Sequence, residues 1–228
     1  MTDIALNIDN ILNQIRHFES LYQRPAGSVS LLAVSKRHSS EIIRAAAAHG
    51  IRDFGENYVQ EGVEKIENLK ELALIWHFIG PIQSNKTKAI AENFDWAHSI
   101  ERAKIAERLS RQRPVELCPL NVCIQINLSQ EATKSGTHLE SAKELCQVVD
   151  RLPGLTLRGL MAIPAPNQDP QQQRACFRDL ATEFNVLCGH YPSMDTLSMG
   201  MSNDFEAAIA EGSTMIRIGT ALFGRRPG

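Results

Sequence analysis

A lysine that ends a short apolar segment is the first residue of this 228-residue chain that could do covalent chemistry. Residues 30–36 read SLLAVSK, and four consecutive apolar residues between serines predict a strand that is buried on both faces. Side chains alternate along a strand, so Leu32, Val34 and Lys36 share one face. An amine desolvated at the mouth of a packed interior loses its proton more readily and can form a Schiff base with a carbonyl compound. The simpler interpretation is a solvent-exposed lysine.

Two loops near the C-terminus have the composition of a phosphate site. Residues 200–204 read GMSND and residues 219–221 read GTA, and each loop precedes a predicted helix. Glycine lets backbone N–H groups approach an anion closely, while the hydroxyls of Ser202 and Thr220 add donors. Gly219 would supply the close backbone approach in the second loop. The alternative is that both hydroxyls only cap helices.

Arg217 lies in the last predicted strand, where it alternates with Ile216 and Ile218. The isoleucines suit the face that meets the helices, so Arg217 should point into the interior. A buried guanidinium needs an acceptor, because an unpaired charge is costly to bury. That acceptor is either the carboxylate of a structural ion pair or a ring nitrogen of a bound ligand.

Four further residues are candidates, each with a simpler alternative. Asn57 follows the second predicted strand but could cap a helix, and His77 could be an ordinary core histidine. Met199 could form the floor of a pocket or simply pack in the core. Lys134 lies in a polar loop at the predicted rim, where a solvated lysine is the alternative.

The elements that must position these residues alternate regularly between strand and helix. Eight such units in one chain predict a closed (β/α)8 TIM barrel of class α/β, with an open doubly wound sheet as the alternative. We expect one domain over residues 1–228, with an extra amphipathic helix over residues 1–25 packed on the barrel. The predicted strands cover residues 30–35, 51–55, 74–79, 96–100, 120–128, 155–163, 195–199 and 214–218.

Composition excludes several classes of protein. The formal net charge of −2 gives no reason to expect nucleic acid or an anionic membrane as a partner. The five cysteines form no CxxC pair, which argues against a disulfide framework or zinc site and favours a reducing compartment. The N-terminus does not resemble a signal peptide, and no segment is long and apolar enough to span a membrane. We therefore expect a cytoplasmic protein without a metal site.

One ligand would satisfy the strongest candidates together. It needs an aldehyde for Lys36, a phosphate for the two loops and a ring nitrogen for Arg217. Pyridoxal 5′-phosphate (PLP) has all three groups.

Several long motifs, which together cover essentially the whole chain, closely resemble the YggS/PROSC family of pyridoxal phosphate homeostasis proteins. They are LLAVSK at 31–36, FGENYVQE at 54–61, WHFIGPIQSNK at 76–86, GLMAIP at 159–164, LSMGMSNDFEAAI at 197–209 and STMIRIGTALFG at 213–224.

The resemblance implies a barrel similar to the N-terminal domain of alanine racemase, which is fold type III of the PLP-dependent proteins. It also implies a covalent link between PLP and Lys36, phosphate contacts from Ser202, Gly219 and Thr220, and Arg217 at the pyridine nitrogen. Members of the family resemble carriers or regulators of PLP without established catalysis.

A PLP-dependent amino-acid racemase is the main alternative. Racemisation needs a base on each face of the reacting carbon, and in the racemases that this barrel resembles a tyrosine from a second domain supplies the second base. The chain ends at Gly228, directly after the eighth unit, and its tyrosines, Tyr22, Tyr58 and Tyr191, lie at no clear strand end. A Schiff-base aldolase would leave Arg217 without a role. We expect a non-catalytic, monomeric PLP carrier, with PLP-dependent apo-enzymes as candidate recipients and Lys134 as a candidate in release.

Overall fold

Eight parallel strands close into a barrel in which neighbours in the chain are neighbours in the sheet, and the last strand pairs with the first. The computed structural model describes residues 3–128, 135–165 and 169–224. This topology confirms the predicted closed barrel and excludes the open doubly wound sheet. The strands are β1 Ser30–Val34, β2 Asp53–Glu56, β3 Ile75–Phe78, β4 Trp96–Ile100, β5 Leu120–Ile126, β6 Leu155–Ala162, β7 Thr196–Ser198 and β8 Met215–Ile218.

Helices cover the outside of the barrel and supply the crossover between successive parallel strands. They are α1 Ile4–Leu21, α2 Ser40–Ala48, α3 Val59–Asn68, α4 Thr87–Asn93, α5 Ala103–Gln112, α6 Ala142–Asp150, α7 Pro170–Cys188, α8 Phe205–Ala210 and α9 Thr220–Phe223. None of the helices within the described ranges has the length and apolar character needed to cross a membrane.

Strand alternation divides the core into two layers. Outward residues such as Ala33 and Ile216 join the large apolar cluster under the helices. A separate small cluster of Trp96, Cys123 and Met161 lies inside the barrel. Strand side chains therefore meet either the helices or the barrel axis, and the axis leads to the pocket described below.

The N-terminal helix α1 packs against the C-terminal part of the chain. Its residues Ile8, Ile11 and Ile15 are buried at helical spacing. The side chain of Asn7 donates a 2.9 Å hydrogen bond to the backbone oxygen of Leu222 in α9. The amphipathic pattern at the N-terminus is thereby explained by docking on the last elements of the barrel.

The second strand begins two residues later than the sequence suggested. Ile51 donates its backbone N–H to the oxygen of Ala46, and Gly50 has a φ of +90°, so both residues close the C-terminal turn of α2. The predicted start at Ile51 was wrong because this apolar residue serves the helix end rather than the sheet.

Candidate functional site

A cavity of about 910 Å³ opens at the C-terminal ends of the strands. This is the end of a (β/α)8 barrel at which ligands bind. Six of the residues singled out from the sequence line it: Lys36, Asn57, Ser202, Arg217, Gly219 and Thr220. Residues from the first two and the last two units of the chain therefore meet around one space.

Lys36 lies two residues beyond the end of β1. Val34 and Lys36 both line the cavity, and the side chain of Leu32 lies 3.4 Å from the position that a Cβ on Gly55 would take. The alternation predicted from the sequence thus places the lysine amine at the mouth of the barrel interior.

The backbone on both sides of Lys36 is held by a buried ionic cluster outside the barrel, which we call the Lys65 cluster: Glu56, Glu61 and Lys65. Lys65 Nζ donates to the backbone oxygen of Ser35 at 2.8 Å, to Glu56 Oε1 at 2.7 Å and to Glu61 Oε1 at 2.6 Å. Glu61 Oε1 also accepts the backbone N–H of Arg37, whose φ of +62° is unusual for a residue with a side chain. The cluster fixes the peptide groups that precede and follow the lysine.

Glu56 is the most deeply buried member of this cluster. Burial raises the pKa of its carboxyl group, while the charge and hydrogen bond of Lys65 oppose that rise. Its Oε1 also accepts the hydroxyl of Ser35 at 2.6 Å, whereas Oε2 is buried without a partner among the described residues. Lys65 is therefore the counter-charge that this carboxylate depends on.

The hydroxyls of Ser202 and Thr220 do not cap helices. Asp204 occupies the N-cap position of α8 and Gly219 that of α9. The backbone of Gly219 passes so near β1 that an added Cβ would lie 3.2 Å from the oxygen of Val34. Ser202 and Thr220 are therefore not the N-caps of these helices. Both residues line the cavity, where their hydroxyls could donate to a ligand.

The loop that carries Ser202 depends on Gly200 and Asp204. Gly200 has a φ of +96°, and an added Cβ would lie 2.6 Å from the side chain of Ala208. Asp204 Oδ1 accepts the backbone N–H of Met201 at 2.6 Å. The loop is therefore closed on itself, with Ser202 inside the turn.

Arg217 points into the barrel, as the sequence predicted. Its Nη1 donates to the backbone oxygen of Ser198 at 2.6 Å and to that residue's hydroxyl at 2.8 Å, and its Nη2 donates to the oxygen of Ala162 at 2.8 Å. These acceptors are uncharged, so among the described residues Arg217 does not form the structural ion pair that the sequence left open as one alternative. Burial lowers the pKa of Arg217 to about 10, with Asp204 opposing, and the guanidinium stays charged at neutral pH.

His77 and Met199 do not line this cavity, and their assignment to it is corrected. His77 is fully buried one layer below, where it contacts Asp53 and His98, and Ile79, two residues later, is the β3-side residue that reaches the cavity. Met199 is fully buried in the apolar cluster under the helices, and Met201 lines the cavity instead. In both cases the residue that lines the cavity comes two positions later in the chain, beyond the end of its strand.

Asn57 provides a test of whether the cavity suits a polar ligand. Tyr58 takes the N-cap position of α3, so Asn57 is not the cap of that helix. Its Oδ1 is buried without a hydrogen-bond partner among the described residues, although the residue lines the cavity. A buried amide oxygen normally has a partner, and a donor on a bound ligand would supply one.

Other candidates lie elsewhere. Lys134 falls outside the described residues. Tyr22 bonds to Glu206, and Tyr58 lies under the guanidinium of Arg37. None of the three tyrosines, Tyr191 included, is among the residues that line the described cavity.

The cavity thus combines one amine, two hydroxyls beside a closely approaching backbone, a charged guanidinium and an unsatisfied amide. These groups suit a ligand with an electrophilic carbonyl, an anionic group and a ring acceptor. PLP fits this donor set.

Comparisons with known proteins agree with the fold, and several of the relatives they find have names that refer to pyridoxal phosphate. Residues 6–227 match the family described as "Alanine racemase, N-terminal domain". Pyridoxal phosphate homeostasis proteins from Vibrio cholerae and Escherichia coli K12 are 54% and 53% identical to this chain, each over 99% of it and 98% of the relative. The structure of PipY from Synechococcus elongatus with PLP bound is 36% identical, has a TM-score of 0.83, and matches over 97% of this chain and 100% of PipY.

Proposed function

Because this chain belongs to the family of pyridoxal phosphate homeostasis proteins, we propose that it holds PLP in the described cavity and acts in intracellular PLP homeostasis. The observation that supports this most strongly is the convergence of Lys36, Ser202, Arg217 and Thr220 on one cavity. The PLP-bound structure of PipY, which matches nearly the whole chain, supports the same ligand.

In this proposal each group of the cavity has one role. Lys36 would hold PLP covalently, through its Nζ at the aldehyde carbon of the ligand. The hydroxyls of Ser202 and Thr220 and the backbone at Gly219 bind the phosphate. Arg217 donates to the pyridine nitrogen, and Asn57 accepts from a ligand donor.

The same residues argue for binding rather than turnover. Bound PLP supplies an electron-withdrawing ring that can activate amines, and this effect is strongest when the pyridine nitrogen is protonated. Arg217 remains charged at neutral pH, so it can donate a hydrogen bond to the pyridine nitrogen but does not transfer a proton to it. Racemisation would also need a second base, and no tyrosine is among the described residues that line the cavity. We therefore favour a non-catalytic carrier over a racemase.

As a carrier the protein would act in the cytoplasm as a monomer and deliver PLP to apo-enzymes. Its five cysteines are all free thiols, which suits a reducing compartment. Lys134 remains a candidate for the release step, because the sequence places it at the same rim as Lys36.

Reduction with borohydride tests the covalent site. Purified protein incubated with PLP should absorb in the visible range, and reduction should fix one PLP on the peptide that contains Lys36. Lys36→Ala should abolish the label, whereas Lys86→Ala, outside the cavity lining, should keep it.

Three results would contradict the proposal. A protein that gains no colour with added PLP does not bind it in this way, and a label on another lysine would refute the site. Rapid exchange of the α-proton of any common amino acid would restore the racemase alternative.

A further inference from the structure

A continuous chain of hydrogen bonds runs through the barrel interior and ends on Arg217. Asp53 Oδ1 lies 3.0 Å from His77 Nε2, and His77 Nδ1 lies 2.9 Å from His98 Nε2. His98 Nδ1 lies 3.1 Å from the hydroxyl of Ser198, which is 2.8 Å from Arg217 Nη1. We call these five residues the axial relay. They come from β2, β3, β4, β7 and β8.

The chemistry of the two ends fixes the direction of every bond between them. The Arg217 guanidinium can only donate, and an ionised Asp53 carboxylate can only accept. The Ser198 hydroxyl therefore accepts from Arg217 and donates to His98 Nδ1. Each neutral imidazole has one donor and one acceptor, so both rings carry their proton on Nε2.

The surroundings keep both imidazoles neutral. Burial lowers the pKa of His77, although the Asp53 carboxylate opposes this shift, and burial, with the charge of Arg217 as a further cause, lowers the pKa of His98 well below its ordinary value. Trp96 stacks on His77 with ring centroids 5.2 Å apart, which leaves the ring edge to make the hydrogen bonds. Asp53, at the far end, is the relay member with an appreciably exposed side chain, at 31%.

We propose that the axial relay is a positioning device that holds Arg217 in the orientation in which it meets the ligand ring. The inference rests on the proposed function, in which Arg217 contacts the pyridine nitrogen. The Ser198 hydroxyl accepts a hydrogen bond from Arg217 because it donates its own proton to a hydrogen bond with His98 Nδ1. His98 Nδ1 is free of a proton because the ring carries its proton on Nε2, where it donates to His77, and His77 in turn donates to Asp53. Asp53 begins β2, at the opposite end of the barrel from the cavity, and it thus sets the direction of the hydrogen bonds that reach the Ser198 hydroxyl.

The relay adds something that the other acceptors of Arg217 do not. The backbone oxygens of Ser198 and Ala162 accept from the guanidinium whatever the state of the histidines. The Ser198 hydroxyl can rotate, and the relay gives its proton a fixed acceptor in His98, which keeps its lone pairs directed at Arg217. Loss of the relay should therefore loosen the guanidinium without unfolding the barrel.

Nitrogen-15 NMR of histidine-labelled protein tests the polarity without any ligand. Wild-type protein at neutral pH should show both His77 and His98 protonated at Nε2 alone. In Asp53→Asn the new amide group can donate as well as accept, so the histidines can also adopt the opposite tautomers. The spectrum of this variant should therefore no longer show protonation at Nε2 alone. Asp195→Asn is the matched control, because Asp195 pairs with Arg158 outside the relay. An Nδ1-protonated ring or an imidazolium in the wild-type protein would overturn the proposal.

A pair of ligands tests the effect at the cavity. PLP and its 1-deaza analogue, which has CH in place of the ring nitrogen, differ only at the atom assigned to Arg217. Wild-type protein should prefer PLP by about tenfold or more, as expected for a hydrogen bond from a charged donor. Ser198→Ala should reduce that preference by about two- to tenfold, the range of one lost hydrogen bond, and leave affinity for the deaza analogue nearly unchanged.

The outcomes separate the relay from the proposed function. If wild-type protein prefers PLP and Ser198→Ala keeps the full preference, the relay has no effect on Arg217 and the proposal fails. If wild-type protein binds neither ligand, the proposed function itself is refuted. Equal loss of both ligands in Ser198→Ala, with a lowered unfolding midpoint, would show a general structural role and also overturn the proposal.

Discussion

Replacing Lys65 by methionine should lower the free energy of unfolding by about 3–5 kcal/mol, the cost of leaving a buried carboxylate without its counter-charge. Methionine retains most of the length of the side chain, so the loss is mainly electrostatic. The substitution removes the three hydrogen bonds that Lys65 Nζ donates, at 2.6 to 2.8 Å. Glu56 is then buried beside Glu61 with no cation in the cluster.

The dependence on pH follows from the carboxyl group of Glu56. Its pKa is raised in the folded protein, chiefly by burial, so its contribution to stability is fully present below the unfolded-state pKa and is lost as the pH rises through the folded-state pKa. Lys65 opposes that rise, and its removal raises the pKa of Glu56 further. The deficit of Lys65→Met should therefore be largest at neutral pH and should shrink towards about pH 5, near the ordinary glutamate range.

Urea denaturation of both proteins across this pH range measures the effect. The double variant Glu56→Gln, Lys65→Met should recover much of the loss, because a neutral amide needs no counter-charge. Lys70→Met is the control: its ion pair with Glu67 is exposed, so the unfolding midpoint should hardly move. An unchanged midpoint for Lys65→Met, or a deficit that does not narrow as the pH falls, would refute this account of the Lys65 cluster.

Three further predictions concern other parts of the structure. Thr220→Val should weaken PLP retention by about ten- to a hundredfold, measured by equilibrium dialysis, since it removes one charge-assisted hydrogen bond. Gly200→Ala should lower the thermal midpoint more than Gly27→Ala, because both positions have positive φ but only the first would force a Cβ to 2.6 Å from another side chain. Exposed Cys118 should react with a thiol reagent at once, whereas Cys146, whose pKa burial raises to about 12, should react only after unfolding.

The sequence was sufficient for the barrel and for most of the cavity, for a physical reason. Strand alternation is local, so the inward direction of Lys36 and Arg217 could be worked out from their immediate neighbours. The loops at Ser202 and Thr220 could be placed because parallel strands of a barrel share one C-terminal end. Asn57 was placed near the cavity, but the expected capping role was wrong because α3 starts one residue later than a cap at this position requires.

What the sequence could not indicate depends on contacts between distant elements. Lys65 is one lysine on an amphipathic helix, and nothing local shows that Glu56 faces it from β2. His98 and Ser198 likewise appear as isolated polar residues in apolar strands, and they acquire a role only when the closed barrel brings β4 and β7 together. His77 was noticed for the right reason, a polar residue in a buried strand, but assigned to the wrong layer.

The docking of α1 on α9 has a consequence for the order in which the protein folds. The hydrogen bond from Asn7 to Leu222 joins residues 215 positions apart in the sequence, and α9 begins at Thr220, a residue of the cavity. Closing so long a loop has a large entropic cost, and such contacts form after local ones. We therefore expect the side of the cavity that Thr220 lines to form late in folding, so that a nascent chain could bind a ligand there only after its two ends have met.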